Sequence, residues 1–482
     1  MASLFEFDLR LYPHNVFLGS LIAPIMCNDS CARQLTAPLR WPTIVLALAT
    51  YAESGVMSAV SGRVIILVTL GAVIIAVVAT RVALDGGFDT IEVSTSRELH
   101  EVLAEPRERV SIVLAPGEYH LTPTSAVDST CGNCEDPSKM VPMTVGLLVS
   151  GKEIWILGPD SGEAIIYTHA GYGVFFKDCD ECGIAGITIT GGERDTATDA
   201  TDAAIVAKNS SVSVFHNKIA DNIGDSTLVV TNVVGIMGIC GRENSFLWVR
   251  DNDIIRNSWD GIALYREAEA EIELNLIDGV DKAGGGDAGG GRGVAIGITW
   301  NAKAKVQSNV VKRYWKGIGV FVDAHAVVQE NIIEEMLTWG IAYWDAGKGK
   351  PWVFIENNVV YDCGACGVSI TREAPFAGDE LPGGMTGNII VKTGQNPKYD
   401  DADYYCFQSA LALHAVPEHF AIAGNLFYNN RRASDDLFDQ DVTEEDFLKA
   451  KDDLLEDILA SKQGWFWENS RFLREYAADL SD

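Results

Sequence analysis

Apolar and polar residues alternate with a period of two in short runs along the middle of the chain. In residues 317–323, Ile318, Val320 and Val322 fall on one side and Gly319, Phe321 and Asp323 on the other, the pattern of a strand with one face in a core. An Asn-x-(Ile/Val/Phe) signature punctuates these runs at Asn217, Asn252, Asn275, Asn309, Asn331, Asn358, Asn388 and Asn425, spaced 35, 23, 34, 22, 27, 30 and 37 residues apart. In four repeats a Gly-(Ile/Val) pair follows eight or nine residues later, at Gly261, Gly317, Gly340 and Gly367. A shortest spacing of 22 with variable additions predicts a solenoid of stacked rungs in which one corner accepts insertions. The segments at 152–158, 172–179 and 183–191 read as less regular rungs before Asn217.

The asparagines have a structural role to fill first. A buried turn leaves backbone groups unpaired, and an Asn at the same corner of every rung can bond to them and to the Asn of the next rung. The eight positions therefore predict a structural ladder.

Ahead of the repeats, Thr95-Ser96-Arg97-Glu98 has the form of a helix capping box, with Leu99, Val102 and Leu103 at helical spacing. A strand over 110–114, a Pro116-Gly117 turn and a resumed strand at Tyr119 follow. This short helix followed by VSIVLAPGEYHL resembles the start of right-handed parallel β-helix proteins of the pectin-lyase-like group. The resemblance implies an all-β, single-stranded right-handed parallel β-helix over residues 90–432, in a class that mixes enzymes with surface and binding proteins. From 434 to 482 the pattern becomes helical: Thr443 begins a helix with Phe447, Leu448, Leu454, Leu455, Ile458 and Leu459 on one stripe. This segment is expected to cap strand edges that would otherwise stay open. Its eleven carboxylates between Asp435 and Asp457 read as a solvated helix face, since the glycine of a calcium-binding EF-hand loop is missing.

Charge narrows the partners. The 482 residues hold 67 acidic and 37 basic side chains, a net charge of −30, which excludes a surface built to neutralise nucleic-acid phosphates. An apolar run at 64–79, between Arg63 and Arg81 with Thr69 as its sole polar side chain, reads as a signal peptide or membrane anchor over 64–83. Residues 1–63 are then a cytoplasmic segment or a misassigned start, Met57 being the alternative first residue. Residues 1–83 carry four acidic and five basic side chains, so the acidity belongs to the part expected outside the cytoplasmic membrane, in the periplasm, on the cell surface or secreted. That location favours disulfides, over zinc or free thiols, for the pairs Cys131/Cys134, Cys179/Cys182 and Cys363/Cys366 and for Cys240 and Cys406.

Candidate chemistry comes from aligning rungs on the repeat glycine. Tyr265, Phe321, Trp344 and Thr371 occupy the fourth position after it and Arg266, Asp345 and Arg372 the fifth, with Asp323 one later. Aromatic faces beside charges suit sugar rings, and Trp300 and His414 join Tyr265, Phe321 and Trp344 as candidate substrate contacts. Asp323 and Asp345 are candidate catalytic carboxylates, His325 a candidate base, and Arg266 and Arg372 candidate cations. The expected partner is a polysaccharide or cell-surface glycan, bound and cleaved or epimerised; the alternative is a non-catalytic surface or adhesion module. The sequence assigns no cofactor, and calcium, which an anionic glycan would invite, is the candidate. The Asp-Pro-His of mannuronan epimerases and the Asn-Thr-Asp of polygalacturonases are absent, so no catalytic residue carries over from the resemblance.

Overall fold

The computed structural model describes residues 87–477, apart from 198, 228, 230–233, 285–286, 374–382, 401–406, 417–419, 432–440 and 460–463. The apolar run at 64–79, its flanks and Cys406 lie outside the described residues. Within the compact unit Asp89–Asp482 the chain winds as a right-handed parallel β-helix. Each regular rung has three strands, as in Lys316–Phe321, His325–Gln329 and Ile332–Glu334. The third strands form an eleven-stranded sheet; the first and second form two faces joined into one sheet by the long strand Val141–Leu157. All described pairings are parallel except that of Thr124–Asp128, which lies antiparallel on Val141–Val145.

Inward side chains stack in register. Ile205, Ile239, Ile262, Ile296, Ile318, Ile341, Val368 and Leu411 follow one another through eight rungs of the first face, all fully buried. Stacking β-branched residues at strand spacing buries each against its copies above and below, so the core extends with every repeat.

The corner before the third strand explains the asparagine signature. The residue preceding each Asn is left-handed: His216, Asp251, Leu274, Ser308, Glu330, Asn357, Gly387 and Gly424 have φ between 52° and 67°. From Asn252 onward each Asn Oδ1 accepts from the backbone N–H and side-chain Nδ2 of the Asn one rung earlier, as Asn331 Oδ1 does from Asn309 at 2.9 Å, and Asn217 Oδ1 accepts from Ile187 N. Each Nδ2 also donates to backbone carbonyls, as Asn331 does to Val306 and Gln329. The chain of bonds runs from Asn217 to Asn425 without a break. Left-handed backbone costs a non-glycine residue about 1 kcal/mol, and the satisfied corner amides offset it.

The helix Ser96–Ala104 closes the first turns, with Thr95 Oγ1 accepting from Glu98 N and Glu98 Oε2 from Ser94 N. At the other end Glu444–Leu459, Trp465–Asn469 and Arg471–Tyr476 begin at the last rung and run back along the third sheet. Their Phe447, Leu455, Ile458 and Phe472 cover the outward apolar column Val310, Ile332, Val359, Ile389 and Leu426. Buried Glu334 fixes the contact by accepting from Arg471 N, Phe472 N and Ser470 Oγ.

The cysteines depart from expectation. Cys131 and Cys134 form a disulfide, whereas Cys179, Cys182, Cys240 and Cys363 are buried thiols. Cys363, in the turn before the strand Cys366–Thr371, joins the inner core, and Cys366 packs on the outer side with Trp339 and Ala412, so the two side chains point apart. Cys179 and Cys182 both belong to the inner core, where their thiols donate to the backbone carbonyls of Val149 at 3.2 Å and Gly151 at 3.5 Å.

Candidate functional site

On the first face the alternation that sends isoleucines inward sends three columns outward. The middle column consists of small residues: Ala263, Gly297, Gly319, Ala342, Ser369 and Ala412 lie in register. One wall is the column two residues before each inward Ile: Asp260, Val294, Lys316 and Trp339. The other is the column three residues after it: Tyr265, Thr299, Phe321, Trp344, Thr371 and His414. Small side chains between larger ones make a narrow groove along the stack that the flanking side chains fold over, its Ala263, Ala342, Ser369 and Ala412 being fully buried. Its floor carries no side chain at Gly297, where a Cβ would lie 3.6 Å from Asp260 Oδ2, whereas at Gly319 the Phe321 ring lies over the floor, 2.3 Å from where a Cβ would be.

Asp260 and Lys316 stand at this stretch of floor. Asp260 is 5% exposed; its Oδ1 accepts from Val294 N at 2.6 Å, and its Oδ2 points to the Gly297 floor. Burial raises its carboxyl to about 7, against the lowering effect of the Val294 bond and the charge of Lys316. Lys316 is half-buried two rungs on, its Nζ 3.7 Å from the centre of the Trp315 ring and 5.5 and 5.6 Å from those of Trp339 and Trp344. Burial lowers its ammonium to about 8, and the nearby Asp260 charge works the other way. A carboxyl and an amine brought to neighbouring values near neutrality can give and take protons at one pH.

The residues expected from sequence divide by position. Tyr265, Phe321 and Trp344 stand in the wall: the Phe321 and Trp344 rings are 5.6 Å apart and Trp344 Nε1 donates to Ser369 Oγ at 2.9 Å. His414 ends the same column. Trp300 lies beside it under the Arg266 guanidinium, at 4.5 Å. Asp323 and Asp345 are brought to corners and not into the groove. Asp323 Oδ1 accepts from Asn301 N at 2.7 Å, and buried Asp345 accepts from Gly347 N at 3.0 Å and Glu373 N at 2.9 Å. Arg372, also buried, follows the strand end Thr371. The reason is geometric: the fifth position after the glycine is where the chain leaves its strand and turns, so its side chain serves the turn. His325 belongs to the second face, in register with Lys303 and Trp352 and stacked on the latter at 5.1 Å.

Sequence reasoning missed Asp260 and Lys316. Both immediately precede a repeat glycine, where other rungs carry Trp339 and Cys366, so a charge at that position was the available signal. Calcium does not fit the groove. It needs six to eight oxygen ligands, Asp260 faces an amine across the floor, and among the described residues no three or more His, Cys, Asp or Glu side chains are arranged to hold a metal ion.

Residues 160–294 match the family model described as right handed beta helix region. That match agrees with the fold seen here, a right-handed parallel β-helix. Among solved structures it is similar to an alginate lyase from Paenibacillus sp. str. FPU-7, at 17% identity and a TM-score of 0.39, over 71% of this chain and 97% of that one. It is also similar to a mannuronan C-5 epimerase A-module from Azotobacter vinelandii, at 12% identity and a TM-score of 0.33, over 70% and 96%. A third is a pectate lyase from Bacillus sp. N165 in complex with trigalacturonate, at 12% identity and a TM-score of 0.32, over 77% and 93%. No curated protein matches the chain.

Proposed function

We propose that the groove binds a polysaccharide and that Asp260 and Lys316 move protons on the sugar seated over Gly297. The observation that carries this reading is the pair itself: a buried carboxylate with one oxygen turned to the floor and a Trp-flanked amine, two rungs apart along one aromatic-walled groove. Phe321 and Trp344 supply the faces on which sugar rings stack, and buried Tyr265 backs the same wall. Asp260, ionised above about 7, takes a proton from a ring carbon, and Lys316, protonated below about 8, returns one. Delivery to the departing glycosidic oxygen gives elimination, the C–H electrons forming the new double bond as the C–O bond breaks; delivery to the opposite face of the same carbon gives epimerisation. Such a C–H is acidic enough only beside a carboxyl carbon, so the polymer is a uronate. Two-carboxyl hydrolysis fits less well, because Asp323 and Asp345 are bonded to backbone amides.

Export accompanies this reading. Residues 64–83 act as signal or anchor and residues 1–63 precede them; the β-helix at 90–432 and the acidic helical segment at 434–482 lie outside the cytoplasmic membrane. The Cys131–Cys134 bridge supports an oxidising compartment. Digestion of intact spheroplasts with protease is expected to degrade the β-helix, and full protection would overturn the location.

The test of activity is incubation with neutral and uronate polysaccharides, following unsaturated-uronate absorbance, reducing ends and, by NMR, inversion at the acidic carbon. The expected product forms with the wild-type protein and vanishes in Lys316→Met and in Asp260→Asn. Binding without product in the wild type would favour the adhesion module, and neither binding nor product would reject the groove as a glycan site.

A further inference from the structure

The groove has a side wall that does not come from its own rungs. Between the strands Thr124–Asp128 and Val141–Leu157 the chain makes a loop closed by the Cys131–Cys134 disulfide. The base of this loop is rigid. Buried Asp128 is ion-paired to Lys208 and, at 3.0 Å, to the fully buried Arg242, which also donates to the Thr130 carbonyl and hydroxyl at 3.0 Å. Tyr172 and Thr201 complete the cluster through their hydroxyls.

The tip of the loop reaches further down the face. Arg266 Nε donates to the Gly132 carbonyl at 3.2 Å, Trp300 Nε1 donates to Asn133 Oδ1 at 3.0 Å, and Glu135 is ion-paired to Lys348. These three contacts join residues far apart in sequence, and all converge on Trp300, whose ring has Arg266 at 4.5 Å and Lys348 at 5.8 Å. Gly132 and Asn133 lie between the two bridged cysteines. The bond that closes this four-residue loop therefore presents the carbonyl and the side-chain oxygen to the groove. Cys134 is half-buried and Cys131 is buried, so a thiolate can approach from the Cys134 side only.

We infer that the Cys131–Cys134 loop is a redox-latched wall of the groove: bridged, it holds Trp300 and Arg266 in place against a bound chain, and reduced, it lets that wall go. The inference rests on the reading of the groove as a glycan site. The switch is a thiol–disulfide exchange with a dithiol reductant. Its first thiolate attacks Cys134 Sγ and breaks the S–S bond, leaving Cys131 to take up a proton as a thiol. The reductant's second thiol then closes on the first, releasing Cys134 as a thiol and the reductant as its own disulfide. Two electrons and two protons pass to the protein. Cys179, Cys182, Cys240 and Cys363 are already thiols and do not respond.

The experiment uses the full chain, with and without dithiothreitol, in two readouts: hydrogen exchange of residues 129–139, and affinity for an oligogalacturonate and a cello-oligosaccharide hexamer. Reduction is expected to speed exchange at 130–136 by about tenfold or more, leaving the anchored base protected, and to weaken binding of whichever hexamer the oxidised protein retains by about fivefold or more. Cys131→Ser/Cys134→Ser is expected to match the reduced protein and to ignore dithiothreitol. Asn133→Ala is expected to weaken binding by about twofold to tenfold in the oxidised state. Unchanged exchange overturns the latch, and accelerated exchange with unchanged affinity overturns the wall. If neither hexamer binds in either state, the glycan reading fails, and the latch stands or falls on the exchange and on the double variant alone.

Discussion

On the face built from strands such as Lys316–Phe321 and Trp339–Trp344, a carboxylate and an ammonium stand along one floor with no ion pair between them. On the neighbouring face, built from Lys303–Gln307, His325–Gln329 and Trp352–Glu356, the same residue types recur in register: Glu269, Lys303, His325 and Trp352 in one column, Trp248, Glu271, Lys305 and Phe354 in the next. There Lys303 is bonded to Glu269 at 2.6 Å, the Trp248 indole to Glu271 at 2.7 Å, and His325 lies flat on Trp352. The second face has side chains that satisfy one another in water. The first has charges held out of water with bonding capacity to spare, and such groups are the ones that can act on a ligand.

The largest test of this difference is catalytic. Lys316→Met and Asp260→Asn are each expected to lower turnover of the responsive polysaccharide by about 10²–10⁴-fold, measured as initial rates. His325→Ala and Lys303→Ala on the second face should leave it within about twofold, since neither side chain reaches the groove. The pH profile follows from the same pair: the rate rises as Asp260 ionises through about 7 and falls as Lys316 loses its proton through about 8. A profile flat from pH 6 to 9 would break the comparison.

Next comes the corner that both faces share. Asn331→Leu removes the acceptor for Asn309 and both donors to Val306 and Gln329, and is expected to cost about 1–3 kcal/mol in denaturant unfolding. An unchanged midpoint would mean that the corner amides find other partners.

A smaller effect of opposite sign separates site from scaffold. Asp260 has a carboxyl raised by burial, so its contribution to stability is greatest below the ordinary aspartate value and declines as pH rises through about 7. At pH 8 the wild type carries the whole penalty, and Asp260→Asn, which keeps an oxygen for Val294 N, is expected to gain about 1–2 kcal/mol. At pH 3 the gain should vanish. A variant more stable and inactive is the signature of a group kept for function. The smallest change is expected for Glu269→Gln on the second face: its exposed pair with Lys303 is worth less than about 1 kcal/mol, and a larger loss would show that face to be less solvated than its geometry implies.

Much of this was legible from residue types alone, and the rest depended on contacts between rungs. The Asn-x-apolar signature specifies a left-handed corner and a ladder because Asn alone offers both a donor and an acceptor short enough to bond up, down and to the backbone. The alternation at 317–323 settles which side chains face the core, and aromatic residues at the fourth position after the repeat glycine form a wall because a strand keeps its period that far. One residue further the period ends, so Asp345 and Arg372 had no readable direction, and the turn claimed Asp345 for its own amides.

What the sequence by itself determined is therefore the repeat: the winding, the ladder, the inward stack and the small-residue floor, all of which arise from local patterns that each rung states again. Only the tertiary structure decided which charges remain unpaired, which cysteines meet and what walls the groove. Asp260 and Lys316 are 56 residues apart in sequence yet flank a single Val294 once an insertion is looped out between them. Gly132 and Asn133 reach Arg266 and Trp300 across 134 and 167 residues. Pairing and desolvation are properties of neighbours in space, and in a solenoid those neighbours are chosen by the lengths of the insertions between rungs, which carry no pattern of their own.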